Sequence, residues 1–326
     1  GYCTDDNARA FILAALLGEL GEDPERVRTL ATTCLAFLHH AFDLKTKRFH
    51  NHMSFDRRWL DEQGSDDCHG RALWALGVGV GRSPYRSFQI MAGQLFALAL
   101  PMLTELTSPR AWAFGLIGIH EYLRRLRGDS LANQTRETLT SRLMGLFERN
   151  ARQDWRWFEG SLSYDNPKLA HALILSGRAT GQQDVLERGL HALRWLTELQ
   201  ISEKGHFRPI GTNGFYSRGG ARANFEQQPI EAQATVSACL EAYRVTSDLW
   251  WYEQAQRAFD WFIGWNDLGL ELYSPETGGC RDGLHVDRIN RNEGAESTLA
   301  FLLSLAETRL AQNMLTSFKQ PIAVEE

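Results

Sequence analysis

Five cysteines, Cys3, Cys34, Cys68, Cys239 and Cys280, are scattered over 326 residues, and no two stand in a CxxC spacing. An odd, dispersed set gives neither a disulfide framework nor a zinc pattern with the histidines. The expectation is free thiols in a reducing compartment, no metal and no cofactor. Long hydrophobic runs are missing too. The longest apolar stretch, residues 91–103, is interrupted by Gln94 and Pro101, short of the roughly 18–20 residues of a membrane span. No charged and then apolar leader opens the chain. It starts GYCTDDNARA, without Met, directly in a motif, as a processed product or a piece of a longer chain would, and the cytoplasm is the default location. Lysine and arginine total 35 against 40 acidic residues, a net charge of -5 without a basic block. That balance argues against nucleic acid or an anionic membrane surface as partner. GxSxG, Walker, dinucleotide-binding and HExxH motifs are absent, so four common catalytic frameworks have no support.

What is present is helical periodicity. At 43% hydrophobic and 23% charged the chain is globular, and length alone would suggest about two domains. Two sets of helices alternate along it. Segments 24–42, 86–103, 131–150, 184–200 and 250–265 are amphipathic, charged on one face and partly exposed. A second set opens on polar, turn-prone clusters and then runs through small and apolar residues, which predicts burial on most sides. These start near residues 4, 65, 108, 163, 225 and 292. Ser, Thr, Asp and Asn before the apolar runs are cap chemistry, and Pro109, Pro167 and Pro229 suit a first helical turn.

Recurrence of a helical hairpin is the signature of an array with one continuous core. Six buried helices ringed by exposed ones predict an all-α (α/α)6 toroid spanning 1–326 as one domain. Residues 308–318, or a segment upstream of Gly1, would supply the sixth outer helix. An open solenoid is the competing arrangement. Against it stand the long aromatic linkers 48–64, 152–164, 205–225 and 271–292, which suit the mouth of a cavity, with short β-hairpins expected in the first two.

Carboxylates stand at five of the six inner starts: Asp5 and Asp6, Asp66 and Asp67, Asp165, Glu226, then Glu293 and Glu296. Each could simply cap its helix. Together, aimed at one axial cavity, they suit glycoside cleavage, which needs one carboxyl group as acid and another as base or nucleophile. In a six-sector ring, Asp5 or Asp6 faces Asp165, and Asp67 faces Glu226. The expected catalytic set is therefore Asp5, Asp67, Asp165 and Glu226, with inversion because facing carboxylates leave room for water. Asp6, Arg9, His69, Arg71, Trp112, Trp157, Tyr164, Gln227 and Glu296 are the expected sugar-binding residues. For Arg9 and Arg71 pairing with the nearby acids is an alternative role. Trp112 and Trp157 offer flat faces for sugar rings, whereas Trp195, Trp250, Trp251, Trp261 and Trp265 read as packing. His69 and His171 carry a rival acid–base chemistry, with His206 and His285 in the mouth loops. Arg218 and Arg222, in SRGGAR, could hold a phosphate.

The strings GYCTDDNARA, RRWLDEQGSDDCHGRALWALG, SPRAWAF, SYDNPKLAHAL and GAESTLAFL resemble a bacterial domain of the six-hairpin glycosidase-like superfamily. That domain occurs fused to or beside group 1 glycosyltransferases and mannoside-processing enzymes. The likeness runs from Gly1 to about Glu307. It implies an (α/α)6 barrel, carbohydrate processing, an oligosaccharide partner and an attached or neighbouring glycosyltransferase, and it assigns no catalytic residue. The leading expectation is a glycoside hydrolase for a mannose- or glucose-containing oligosaccharide. A non-catalytic carbohydrate-binding module and a sugar epimerase using axial histidines are the alternatives.

Overall fold

A computed structural model describes residues 1–319; the last residues of the expected 1–326 unit lie outside it. Six inner helices form the barrel wall: α1 (Thr4–Glu19), α3 (Asp66–Gly81), α5 (Pro109–Leu123), α7 (Pro167–Thr180), α9 (Pro229–Thr246) and α11 (Ala295–Lys319). Five outer helices alternate with them: α2 (Pro24–Ala41), α4 (Arg86–Ala99), α6 (Ser130–Asn150), α8 (Gln183–Leu199) and α10 (Leu249–Asp260). Each inner helix packs on the next, and α11 returns onto α1. That contact closes the ring, so the architecture is the (α/α)6 toroid and not an open solenoid. Residues 308–318 are not an outer helix. They prolong α11, in which Ala306 and Ala311 are buried and Leu305 and Leu310 partly buried.

Local chemistry sets the helix starts. Ser65 and Ser108 accept from the backbone N–H groups of Cys68 and Ala111 at the head of α3 and α5. Asp23, Asp129 and Asp248 cap α2, α6 and α10 in the same way. Proline occupies the first turn of α2, α5, α7 and α9, where no helical hydrogen bond is lost. Glycine brings α3 and α5 into backbone contact. A Cβ on Gly77 would sit 2.1 Å from the Gly118 carbonyl oxygen, and one on Gly118 would sit 2.6 Å from that of Leu73.

One helical stretch among the described residues, Arg86–Glu105, is long and apolar enough to cross a membrane, with a mean hydropathy of 1.3. It is longer than the sequence reading allowed because α4 runs on through Pro101 as a 3-10 helix, Leu100–Glu105. Its Ala92, Leu95, Phe96 and Ala99 pack into the barrel core.

Two-residue strands gather over the end where the inner helices begin. The hairpin expected within the first linker starts ahead of it, because β2 (Phe42–Asp43) pairs with β3 (Arg48–Phe49), and β4 (His52–Met53) pairs back with β1 (Tyr2–Cys3). The expected hairpin in the second linker does not close on itself. Its strand β5 (Ser161–Leu162) pairs with β6 (Tyr216–Ser217) of the third linker, so two linkers are stitched together. The fourth linker has its own hairpin, β7 (Gly283–Leu284) with β8 (Ile289–Asn290). Loops tied this way form a fixed rim.

Candidate active site at the barrel mouth

The first turns of α1, α3 and α11 and the residues just before α7 place acids around two arginines. Arg71, on α3 and almost fully buried, reaches Asp165 at 2.8 Å and Asp5 at 3.3 Å. Burial alone would lower its pKa; the charges of Asp165, Asp5, Asp67 and Glu296 outweigh that and raise it. Arg9, one turn into α1, bridges Asp6 at 3.2 Å and Glu296 at 2.8 Å, which ties α1 to α11. The guanidinium of Arg71 thus bridges the expected facing pair Asp5 and Asp165. Asp165 is fully buried. Its contact with the acids of the mouth runs through Arg71.

The adjacent aspartates divide their work. Asp66 accepts from Arg48 at 3.0 Å and from the backbone N–H groups of Thr107 and Ser108 at 2.9 and 3.2 Å, fixing the first linker to the start of α5. Asp67, half-buried, accepts instead from two hydroxyls: Ser108 Oγ at 2.7 Å and Tyr164 OH at 2.6 Å. Tyr164 is 39% exposed overall, and partial burial of its hydroxyl together with Asp67 raises its pKa, so its proton stays in that hydrogen bond. In the other pair, Asp6 has its pKa raised, first by burial, with Glu296 and Asp5 adding to it against Arg9. A raised carboxyl open to the mouth suits a general acid.

Glu226, expected opposite Asp67, is held by a residue of the fourth linker. Its carboxylate accepts from His285 Nδ1 at 2.6 Å, joining the third linker to the fourth, and both side chains are partly open. Three other expected contacts turn away from the mouth. His69 is fully buried, with Nε2 3.1 Å from the Ala99 carbonyl of the outer layer, and burial lowers its pKa to about 4. Trp112 donates to the Leu106 carbonyl at 2.8 Å and lies under Arg142 of α6. Trp157 is fully buried against Phe158 and Trp195, leaving no face for a sugar. Gln227 is buried as well: it joins Trp261 at 2.8 Å to Asp267 at 2.6 Å, a packing role. His171 is on the inner surface, but it opens toward the opposite end of the barrel beside Glu241 and Glu307.

Two residues escaped the sequence reading. Glu231, on α9, accepts from the Asp165 backbone N–H and from Asn166. Burial, reinforced by Asp165, raises its pKa to about 8. Lys168 is fully buried, with Nζ 4.6 Å over the Trp74 ring and no hydrogen-bond partner among the described residues. Burial lowers its pKa, opposed by Asp165 and Glu307. The polar string SYDNPK marked both neighbourhoods without showing that acid, arginine and lysine stack along one axis.

No family model matches the chain, and no match is found among curated proteins. Solved structures do match. A sugar epimerase from a ruminal bacterium superposes with a TM-score of 0.71 at 12% identity, over 94% of this chain and 88% of the other. The GH76 α-mannanase of Bacteroides thetaiotaomicron gives 0.69 at 10% identity, over 97% and 88%. An unsaturated glucuronyl hydrolase specific for heparin gives 0.55 at 10% identity, over 95% and 98%. At such identities the likeness establishes the shared fold, a six-hairpin toroid.

Proposed function

We propose that the chain is a carbohydrate-active enzyme that hydrolyses glycosidic bonds in an oligosaccharide with paired carboxylates at the barrel mouth. The observation that carries this is the contrast between Asp6 and Asp67 on neighbouring inner helices. Burial raises the Asp6 pKa even with Arg9 beside it, the direction needed for protonating a leaving oxygen. Asp67 is presented as an acceptor by Ser108 and Tyr164, the requirement for activating water or attacking carbon. Arg9, Arg71, Tyr164 and Glu296 surround them with groups that hydrogen-bond hydroxyls. Asp5 and Asp165 position Arg71. The mannanase and the glucuronyl hydrolase among the matching structures support saccharide hydrolysis on this fold.

A second reading has its own observation. With Glu226 accepting from Nδ1, the neutral His285 ring carries its lone pair on Nε2, the arrangement of a general base. A sugar epimerase and a D-mannose isomerase are among the matching structures. Proton abstraction by this dyad replaces the buried His69 as the candidate for such chemistry.

Incubation with a panel of manno- and gluco-oligosaccharides, followed by NMR, separates the readings. Hydrolysis that drops about a hundredfold or more in Asp6→Asn and Asp67→Asn supports the first; such losses are usual when an acid or base is removed. Epimerised or isomerised sugar, lost in His285→Ala, replaces it with the second. Binding without any turnover would sink both and leave a carbohydrate-binding module.

A further inference from the structure

The fourth linker encloses a hollow of about 790 Å3 against the turn after α10. Its walls carry Arg281, His285, Arg288 and Arg291, together with Glu271 and Asp287. Asp287 is already paired with Arg288 at 2.9 Å. Arg281 donates to the Arg291 carbonyl at 3.2 Å and lies 3.5 Å from Glu293. The Arg291 guanidinium itself has no ion pair or hydrogen bond among the described residues. Three arginines thus line one hollow that is open to solvent, and two of them, Arg288 and Arg291, are exposed.

The frame that holds these side chains is rigid. Asp282 accepts from the Gly294 backbone at 2.8 Å and from Asn292 Nδ2 at 2.5 Å, closing the base of the loop. Leu284 and Gln227 exchange backbone hydrogen bonds at 3.0 Å, which anchors the hairpin to the start of α9. A loop backbone tied in this way need not be ordered by a ligand, so binding would order only the exposed guanidinium groups. The hollow also adjoins the mouth, because His285 lines it while holding Glu226. The arginines of SRGGAR are not available for the same task. Arg222 donates to the carbonyls of Leu199 and Arg208, and Arg218 donates to that of Asn150 at 2.8 Å.

We infer that the 281–291 loop is an anion subsite: Arg281 and Arg291 hold a carboxylate or phosphate carried by the saccharide. Planar guanidinium groups bind both anions through paired N–H donors. This selects a charged sugar over a neutral one, and it rests on the proposal above only in taking the ligand to be a saccharide.

Calorimetric titration of the full chain carrying Asp6→Asn, which stops turnover, tests it with glucose, glucuronic acid, glucose 6-phosphate and inorganic phosphate. At least one anionic sugar should bind about tenfold or more tightly than glucose, a difference of about 1.4 kcal/mol. Added salt should weaken that binding, and Arg281→Ala with Arg291→Ala should abolish the preference. Preference for glucuronic acid assigns a carboxylate; preference for glucose 6-phosphate, with competition by inorganic phosphate, assigns a phosphate. Equal binding of glucose and both anionic sugars overturns the inference. So does unchanged anion binding in the double variant, once its circular dichroism and melting match the parent. Absence of hydrolysis by the unsubstituted chain, with the anion preference intact, overturns only the proposed reaction, whereas hydrolysis by that chain without an anion preference overturns only this subsite.

Discussion

Asp165 and Glu226 share a backbone conformation that L-residues avoid, with φ of 50° and 58°. Each costs on the order of 1–2 kcal/mol against the right-handed region, and each lies just before a proline-started inner helix. Neither helix gains a side-chain cap from these residues, so the strain directs Asp165 to Arg71 and Glu226 to His285. Sequence identified both acids but not this geometry, because left-handed backbone at Asp or Glu has no spacing signature. Facing is equally hidden. His69 follows Asp67 by two residues, and that rotation is enough to turn it to the outer layer. Glu231 yields a test at this scale. Its pKa in the folded chain, about 8, lies above the ordinary 4.5, so the folded state holds the proton more tightly. The stability it contributes is complete below about pH 4.5 and is lost as pH rises through about 8, at about 1.4 kcal/mol per pH unit inside that window. Glu231→Gln keeps an acceptor for the Asp165 N–H and risks only the 3.3 Å contact with Asn166. Melting curves between pH 5 and 8 should therefore decline less steeply in the variant. Parallel curves would show that Glu231 is ionised throughout.

Helices were the most legible level. Inner helices expected near 4, 65, 108, 163, 225 and 292 begin at Thr4, Asp66, Pro109, Pro167, Pro229 and Ala295. Caps and prolines are local signals, so their positions survive tertiary packing. Pairing between linkers is not local, which is why β5 was expected to fold back on its own loop and instead joins β6. The α3–α5 contact was also invisible, although its glycines were in view: sequence cannot say which helix a glycine will meet. Gly118→Ala puts a methyl 2.6 Å from the Leu73 carbonyl oxygen and 2.7 Å from the Trp74 Cα. Backbone cannot yield as a flexible side chain can, so the two helices must part. Overpacking of this kind costs about 1–3 kcal/mol. Since α3 carries Asp67 and Arg71, both the melting temperature and turnover should fall together. A melting temperature equal to the parent's would mean the two helices separate without cost.

At the scale of the whole barrel, the two ends differ in charge arrangement. Inner-helix N-termini, with their positive dipole ends, gather the carboxylates of the mouth. The C-terminal ends surround a second hollow of about 680 Å3 and carry arginines that offset the negative dipole ends. Glutamates link these arginines between neighbours. Glu121 joins Arg124 at 3.0 Å to Arg82 at 3.7 Å, and Glu241 joins Arg178 at 3.1 Å to Arg244 at 3.2 Å. Ring closure brings α3 to α5 and α7 to α9, and these bridges pin the same neighbours at the end away from the linkers. Glu241 is 7% exposed, while Arg178 and Arg244 are 51% and 29% exposed. Solvent screens part of the attraction, so removing it costs less than the 3–5 kcal/mol of a fully buried pair, about 1–2 kcal/mol. Glu241→Gln leaves two guanidinium groups repelling across α7 and α9. The variant should melt several degrees lower in dilute buffer and regain part of the difference in 0.5 M salt, where the repulsion is screened. Oligosaccharide turnover at 25 °C should stay within about twofold of the parent, because a loss of about 1–2 kcal/mol leaves most molecules folded. If melting is unchanged at low salt, the bridges do not hold the barrel. If turnover collapses while the fold is intact, the two ends are coupled through the buried column of Arg71, Asp165 and Lys168, and the mouth does not act alone.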